Sequence, residues 1–420
     1  MAIVVQKYGG TSVGDAARIQ RVAQRIAAAH AGGHQVVGVV SAMGNTTNEL
    51  NALAHEINPR PSDRELDLLL STGETQSCAL MAMALHRLGQ PAIALTGAQA
   101  GIRTDGVFRH AHIVGINPAR VRRELEQNTI VIVAGFQGIT DDLDVTTLGR
   151  GTSDTSAVAL AIALQAERCE IYTDVKGVYT ADPRLVPDAR KLSYIDSEEM
   201  LELARHGSRV THPRAVELGD VYGMPVVVRS SFSEDPGTMI TRSDEIPLEA
   251  RQRVRGIAHD TDVGQVTITD VPDRPGVAAA IFQALAAANI NVDIIIQNVG
   301  RDQATDLSFT VSRDDLERAA RVAGKPARQL GARGVHTVSD LAKISIVGSG
   351  LSLRPGYAAR MFDGLAQAGV NIIGITTSEI RITCLIAEDE VGSAAQALHD
   401  AFQLDEAEAQ AREPLASGQV

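Results

Sequence analysis

Residues 274–291 recur eighty positions later as 354–371, with ten of eighteen positions identical. Arg274-Pro-Gly-Val-Ala-Ala-Ala-Ile-Phe-Gln-Ala-Leu-Ala aligns with Arg354-Pro-Gly-Tyr-Ala-Ala-Arg-Met-Phe-Asp-Gly-Leu-Ala, so Phe282 matches Phe362, Leu285 matches Leu365 and Asn291 matches Asn371. Each copy reads strand (266–269; 344–347), Pro-Gly turn, helix, strand (290–297; 370–376), strand (307–311; 380–386), helix, which is a ferredoxin-like unit. Two copies are too few for a solenoid, which needs about three. The repeat therefore predicts two small paired βαββαβ modules, at 264–339 and 340–420, with the last elements free to pack back on the first unit. A polar, turn-rich stretch at 246–263 reads as their connector.

The first 245 residues follow another rule. Short β-branched runs alternate with helical stretches, the mark of a mostly parallel sheet covered by helices in three layers. Strands are expected at 2–6, 35–40, 93–96, 130–134, 170–173 and 226–229. Helices are expected at 15–30, 63–88 (one long or two broken), 153–164, 196–205 and 213–222.

Composition narrows the function. A net charge of -12, no Trp and 3% aromatic residues leave neither a basic stripe nor a stacking platform for nucleic acid. No apolar run approaches the ~18 residues of a membrane span, and Ile3-Val4-Val5 is too short for a secretory core, so a cytoplasmic chain is expected. Cys78, Cys169 and Cys384 are far apart and unpaired in spacing, indicating neither a disulfide framework nor a zinc site. No dedicated protein metal site is expected.

Five polar segments are candidates for a ligand site, and those at 7–12, 41–49 and 173–184 follow strands, where open α/β sheets bind ligands. Lys7-Tyr8-Gly9-Gly10-Thr11-Ser12 offers adjacent glycine N–H groups as an anion nest, with Lys7 as a mobile charge, or else a plain strand-to-helix turn. Ser41-Ala-Met-Gly-Asn45-Thr-Thr-Asn-Glu49 either binds or caps a helix. Gly73-Glu74 falls at a break in a helical run; Glu74 suits an ammonium group, or a helix cap. Gly149-Arg150-Gly151-Thr152-Ser153-Asp154 brings a planar guanidinium suited to carboxylate or phosphate, with Asp154 either in the site or at a helix N-cap. The last loop is Thr173-Asp174-Val-Lys-Gly-Val-Tyr179-Thr-Ala-Asp182-Pro-Arg184.

Lys7-Tyr-Gly-Gly-Thr-Ser, Ser41-Ala-Met-Gly, Thr72-Gly-Glu74, Gly135-Phe-Gln-Gly, Thr147-Leu-Gly-Arg-Gly, Ser153-Asp154, Gly177-Val-Tyr-Thr-Ala-Asp-Pro-Arg184 and Arg229-Ser-Ser-Phe stand in one order. Together they closely resemble the aspartate kinases of the amino-acid kinase superfamily, and the repeated units resemble ACT domains. The resemblance implies ATP-dependent phosphorylation of L-aspartate to 4-phospho-L-aspartate with Mg²⁺, at the head of lysine, threonine and methionine biosynthesis. It implies catalytic roles for Lys7 and Asp154, and nucleotide contacts from Lys7, Tyr8, Gly9, Gly10, Ser41, Thr173, Asp174, Tyr179, Asp182, Arg184 and Arg209. Aspartate falls to Thr11, Asn45, Glu74 (its ammonium), Arg150 (its α-carboxylate), Gly151, Ser153 and Asp154. Two positions depart from the family pattern: Thr152 replaces a Gly and Arg209 a Lys. If position 152 needs a positive φ, Thr strains it.

The same resemblance implies feedback inhibition by lysine or threonine between paired modules, in a homo-oligomer or with a shorter regulatory chain. Pro275-Gly276 and Pro355-Gly356 open helices whose N-terminal amides suit a carboxylate. The effector residues expected are Asp273, Pro275, Gly276, Val277, Asn291, Val292, Asp293, Gln297, Asn371, Ile372, Ser378 and Glu379, with Asp293 taking the ligand ammonium. The competing readings are another kinase of the superfamily, acting on glutamate, acetylglutamate or UMP, and a non-catalytic amino-acid sensor.

Overall fold

The apolar runs at 36–40 and 130–134 are buried on both faces, as central strands of a helix-covered parallel sheet must be. The computed structural model describes residues 1–208, 210–242, 254–297, 304–351 and 355–406. Its first part runs β1 (Ile3–Tyr8), α1 (Ala16–Ala31), β2 (Gln35–Val40), α2 (Thr46–Ile57), α3 (Asp63–Arg87), β3 (Ala92–Leu95), β4 (Ile102–Thr104), β5 (Ile113–Ile116), α4 (Ala119–Glu126), β6 (Ile130–Ala134), β7 (Gln137–Ile139), β8 (Val145–Thr147), α5 (Ser153–Leu164), β9 (Arg168–Thr173), β10 (Tyr194–Asp196), α6 (Ser197–Arg205), α7 (Pro213–Tyr222), β11 (Val226–Ser230) and β12 (Thr238–Thr241).

The main sheet has the order β10-β12-β11-β9-β1-β2-β6-β3, parallel except where β11 meets β12. Its strands alternate with period two. Val36, Val40, Ile130 and Ile132 join Ile19, Ile26, Met81 and Leu85 of α1 and α3 on one face. Val37, Val39, Val131 and Val133 meet α4, α5 and α7 on the other through Leu125, Val158, Leu160 and Val216. Gly38 belongs to the first face, where an added Cβ would stand 2.9 Å from Ile132 Cδ1. Asp15 starts α1 by accepting the Arg18 N–H at 2.8 Å. A second sheet, β5-β4-β7-β8, was not foreseen, because strands of three or four residues carry no readable alternation.

The remainder comprises β13 (Gly256–Pro272), α8 (Val277–Ala287), β14 (Ile295–Gln297), β15 (Ala304–Val311), α9 (Leu316–Leu330), β16 (Gly334–Val347), α10 (Tyr357–Gln367), β17 (Gly374–Thr377), β18 (Arg381–Ala387) and α11 (Val391–Ala401). They form one sheet, β14-β15-β13-β16-β18-β17. Both long strands serve two modules. The first module uses 264–272 of β13 and 334–338 of β16, giving the ferredoxin-like order β14-β15-β13-β16. The second uses 341–347 of β16 with β18 and β17, and takes 256–260 of β13 as its fourth strand. Register shifts between Asp260 and Gln265 mark the junction.

The connector expected at 246–263 is thus a strand from Gly256 onward; its first eight positions lie outside the described residues. The polar character of this stretch reflects pairing rather than looseness: Asp260 bonds to Lys343 on the neighbouring strand at 3.1 Å. An early strand, 256–260 of β13, thus completes the late module. No helix among the described residues is long and apolar enough to cross a membrane.

Candidate active site

The loops leaving β1, β2, β6, β9 and β11 close on one another at the carboxyl edge of the main sheet. An added Cβ on Gly10 would stand 2.8 Å from the Ala42 carbonyl, and the Gly44 N–H donates to the Gly10 carbonyl at 3.1 Å. A larger residue at position 10 would drive the first two loops apart. Lys7 reaches from β1 to Asp154 in the first turn of α5, Nζ to Oδ1 2.7 Å, with both side chains largely buried. The other Asp154 oxygen accepts the His212 N–H at 3.0 Å and the Thr211 hydroxyl at 3.4 Å. Asp154 therefore holds an ammonium group beside a helix N-terminus, where the helix dipole alone would disfavour a cation.

Asp154 is not the N-cap; that position is Thr152, with φ -83° and ψ 8°. The positive φ values of this loop fall on Gly149 (101°) and Gly151 (77°). Thr152 is unstrained, its hydroxyl donating to the Gly149 carbonyl at 2.5 Å. The departure from the family pattern thus carries no backbone penalty. Ser153 accepts the Ser41 hydroxyl at 3.1 Å, and Gly135 packs so closely that an added Cβ would meet Ser153 Cβ at 3.0 Å.

The break expected at Gly73 does not occur; α3 is continuous from Asp63 to Arg87. Glycine is required there because an added Cβ would stand 2.9 Å from Ala42 Cβ, so this contact offsets its low helix propensity. Glu74 is 3% exposed and accepts the Ala42 N–H at 3.2 Å. Its Oε2 is buried with no hydrogen-bond partner among the described residues. Burial pushes the carboxyl up to about 7, its own backbone amide and that of Ala42 opposing it only in part. A carboxylate short of one partner, facing polar loops, suits a cationic ligand group. Arg150 is exposed and donates to Asn48 Oδ1 at 2.7 Å, which brings it to the first turn of α2, whose N-cap is Asn45; Thr11, Asn45 and Gly151 are exposed nearby in sequence to these groups.

Of the residues expected around the nucleotide, Tyr8 is fully buried and stacks on Tyr172 at 4.8 Å, so its ring serves the packing beneath the loops. The Tyr8 carbonyl accepts the Ser41 N–H and the Tyr172 carbonyl accepts the Gly9 N–H, which ties the first, second and fifth loops. Beneath them lies Glu170. Burial alone would raise its pKa, but hydrogen bonds from Arg168, Gln6 and Tyr172 bring it below the usual range. Thr173 bonds to exposed Asp174, Tyr179 is half-buried, and Arg184 grips Asp182 in a fork. Arg209 lies outside the described residues. Sequence reasoning missed Thr211 and His212; a Thr-His-Pro N-terminus before α7 was the available signal, and His212 does cap α7.

In the regulatory part, Asp273, Pro275, Gly276, Val277 and Gln297 line one cavity of about 350 Å³ with Arg274 and Thr305. Gly276 and Gly356 both cap helices with positive φ, 91° and 110°, which repeats the turn geometry in both modules. Asp293 does not join this cavity. Its carboxylate accepts Lys343 Nζ at 2.7 Å. Asn291 is exposed, Val292 packs into the first module's core and Ile372 into the second's. Asn371 is exposed ahead of β17, and Ser378 and Glu379 form the β17–β18 turn.

The match to known sequences follows the same division. The amino acid kinase family model matches residues 2–230, and the ACT domain model matches 268–325 and 344–402. The chain belongs to the amino acid kinase family. An aspartokinase of Thermus thermophilus is 50% identical over 409 residues, covering 97% of this chain and all of the relative. Escherichia coli aspartokinase III in complex with aspartate and ADP superposes with a TM-score of 0.80 at 26% identity, covering 95% of this chain and 99% of that one. The same enzyme in complex with lysine and aspartate gives a TM-score of 0.74 at 26% identity and the same coverage. Within the family, the chain is one of the aspartokinases.

Proposed function

We propose that this loop cluster transfers the γ-phosphoryl group of ATP to the side-chain carboxylate of aspartate, giving 4-phospho-aspartate, the first step toward lysine, threonine and methionine. The observation that carries the residue assignments is the Lys7–Asp154 pair at 2.7 Å where β1 meets the start of α5, with the half-satisfied Glu74 carboxylate of α3 beside the Ala42 loop. Phosphoryl transfer asks mainly for positioning and charge neutralisation. Lys7 and the Gly10 amide take the phosphate oxygens, Gly9 shapes the turn with its N–H already given to the Tyr172 carbonyl, and Asp154 fixes Lys7. Glu74 takes the substrate ammonium and Arg150 the α-carboxylate. The substrate carboxylate is already a nucleophile, so no general base is required. The Ser41, Thr173, Asp174, Tyr179, Asp182 and Arg184 loops hold the nucleotide.

Asp154 is engaged by Lys7, Thr211 and His212, and no group of three metal-type side chains gathers among the described residues. These residues fit Mg²⁺ carried on the nucleotide phosphates and water, where it would neutralise phosphate charge. Lysine or threonine binds at the Pro-Gly cavity of the first module, a reading supported by the lysine complex of the E. coli enzyme. Half-exposed Ile295 and Ile375 on the outer strands β14 and β17 support pairing with a second copy or a shorter regulatory chain. The test is hydroxylamine trapping of the acyl phosphate with ATP and Mg²⁺. Aspartate should give a hydroxamate far faster than glutamate or acetylglutamate; equal or faster turnover of another acceptor overturns the assignment.

A further inference from the structure

α3 carries two buried carboxylates seven residues apart, about two helical turns, and so on one face: Glu74, and Asp67, which no motif singled out. Asp67 is fully buried. Its Oδ2 accepts the backbone N–H groups of Arg109 and Thr147, each at 2.8 Å, and its Oδ1 accepts the Thr147 hydroxyl at 2.7 Å. The Arg109 guanidinium lies 3.8 Å away. Thr147 ends β8 and leads directly into Leu148-Gly149-Arg150.

The other side of this backbone is also held. Arg214 of α7 donates to the Leu148 carbonyl at 2.8 Å and to the Ala111 carbonyl at 3.2 Å. The Ala111 N–H in turn donates to the Thr147 carbonyl at 3.0 Å. Arg109 takes a positive φ of 70°, uncommon for a non-glycine residue, with its N–H directed at Asp67. An added Cβ on Gly149 would lie 3.4 Å from the Arg109 carbonyl, so this segment forms the floor of the arginine loop. A buried carboxylate is expensive unless its lone pairs are filled, and an apolar side chain would pack the same space at lower cost. What the carboxylate adds is a fixed position for the strand end that launches Arg150.

We propose that Asp67 is a positioning residue for substrate binding: it sets the Arg150 loop relative to Glu74, so that α3 fixes the spacing between the groups that take the amino acid's carboxylate and ammonium. The inference rests on the assignment of Arg150 and Glu74 given above. Asp67 touches neither substrate, so its effect must pass through Arg150.

The test measures kcat and KM for both substrates in Asp67→Asn, Arg150→Ala and the double variant. Asp67→Asn should raise KM for aspartate about tenfold, as expected for a displacement of about half an ångström where a full ångström can cost about a hundredfold, and leave KM for ATP within about twofold. In the Arg150→Ala background it should add nothing. A further rise in that background, or an equal rise in both KM values, reduces Asp67 to a stability role and overturns the proposal. If Arg150→Ala alone leaves KM for aspartate unchanged, the assignment of Arg150 falls instead. Should Asp67→Asn fail to fold, Thr147→Val removes only the hydroxyl bond to Asp67, and the same comparison in the same two backgrounds decides.

Discussion

Replacing Glu74 by Gln should stabilise the unliganded protein at alkaline pH while weakening its hold on aspartate. The Glu74 carboxyl is raised from an ordinary 4.5 to about 7 by burial, with one oxygen on the Ala42 amide and the other unpartnered. At 1.36 kcal/mol per pH unit, holding it ionised in the fold carries a penalty of about 3 kcal/mol. The sign follows from proton uptake. Between pH 4.5 and about 7 the folded chain binds the proton more tightly than the unfolded chain, so the stability conferred by this group falls as pH rises through that window. Gln has no such dependence. Its buried NH₂ lacks an acceptor and costs about 1–3 kcal/mol at every pH. The informative quantity is therefore the change in the stability difference between variant and parent: about 3 kcal/mol in favour of Gln on going from pH 4.5 to pH 8.

The assay is urea unfolding at both pH values, followed by far-UV circular dichroism because the chain has no Trp. At pH 8 the KM for aspartate should rise by at least about thirtyfold, since truncating one partner of a buried charge pair costs 2–5 kcal/mol. A stability difference that is the same at both pH values refutes the burial argument. An unchanged KM refutes the contact with the substrate ammonium. Both effects together would make Glu74 a group kept for binding at the expense of stability.

Lys7→Ala should lower the single-turnover rate about 10²–10³-fold with far smaller change in KM for aspartate, because Lys7 meets charge that develops on phosphate; a drop below tenfold in rapid-quench experiments would place Lys7 outside the reaction. Thr152→Gly should lower stability by about 1 kcal/mol, through loop entropy and the lost bond to the Gly149 carbonyl, and leave kcat no higher; a raised kcat would mean that the threonine does restrain the loop against catalysis. Asp293→Ala should lower the unfolding free energy by no more than about 1 kcal/mol, since its bond to Lys343 is half-exposed and Asp260 remains, and should leave uninhibited kcat unchanged; a fall in uninhibited kcat would show that this ion cluster supports the catalytic domain as well.

The sequence made legible what local chemistry dictates. Lys7, Arg150 and Asp154 stand in loops so dense in glycine and polar groups that a site could be argued before any coordinates, and the Pro-Gly repeat defined two modules. It could not disclose relations that depend on distant chain meeting distant chain. Gly73 looked like a helix break because the residue that excludes a side chain there, Ala42, lies thirty-one positions away. The 256–263 stretch looked like a linker because His259, Asp260 and Asp262 are polar, whereas Asp260 is matched by Lys343 and the strand completes a module that begins some eighty residues later. Asp293 reads in the sequence as a free acceptor, and only the fold shows that the same lysine stands 2.7 Å from it. Asp67 gave no signal at all: an aspartate inside a helix is ordinarily solvated, and only the arrival of the Arg109 and Thr147 amides from two other segments shows why a charge is buried there. The residues that perform chemistry sit where chain flexibility and polarity mark them, but those that hold them in register are marked only by their partners, so the supporting layer of this site had to be read from the fold.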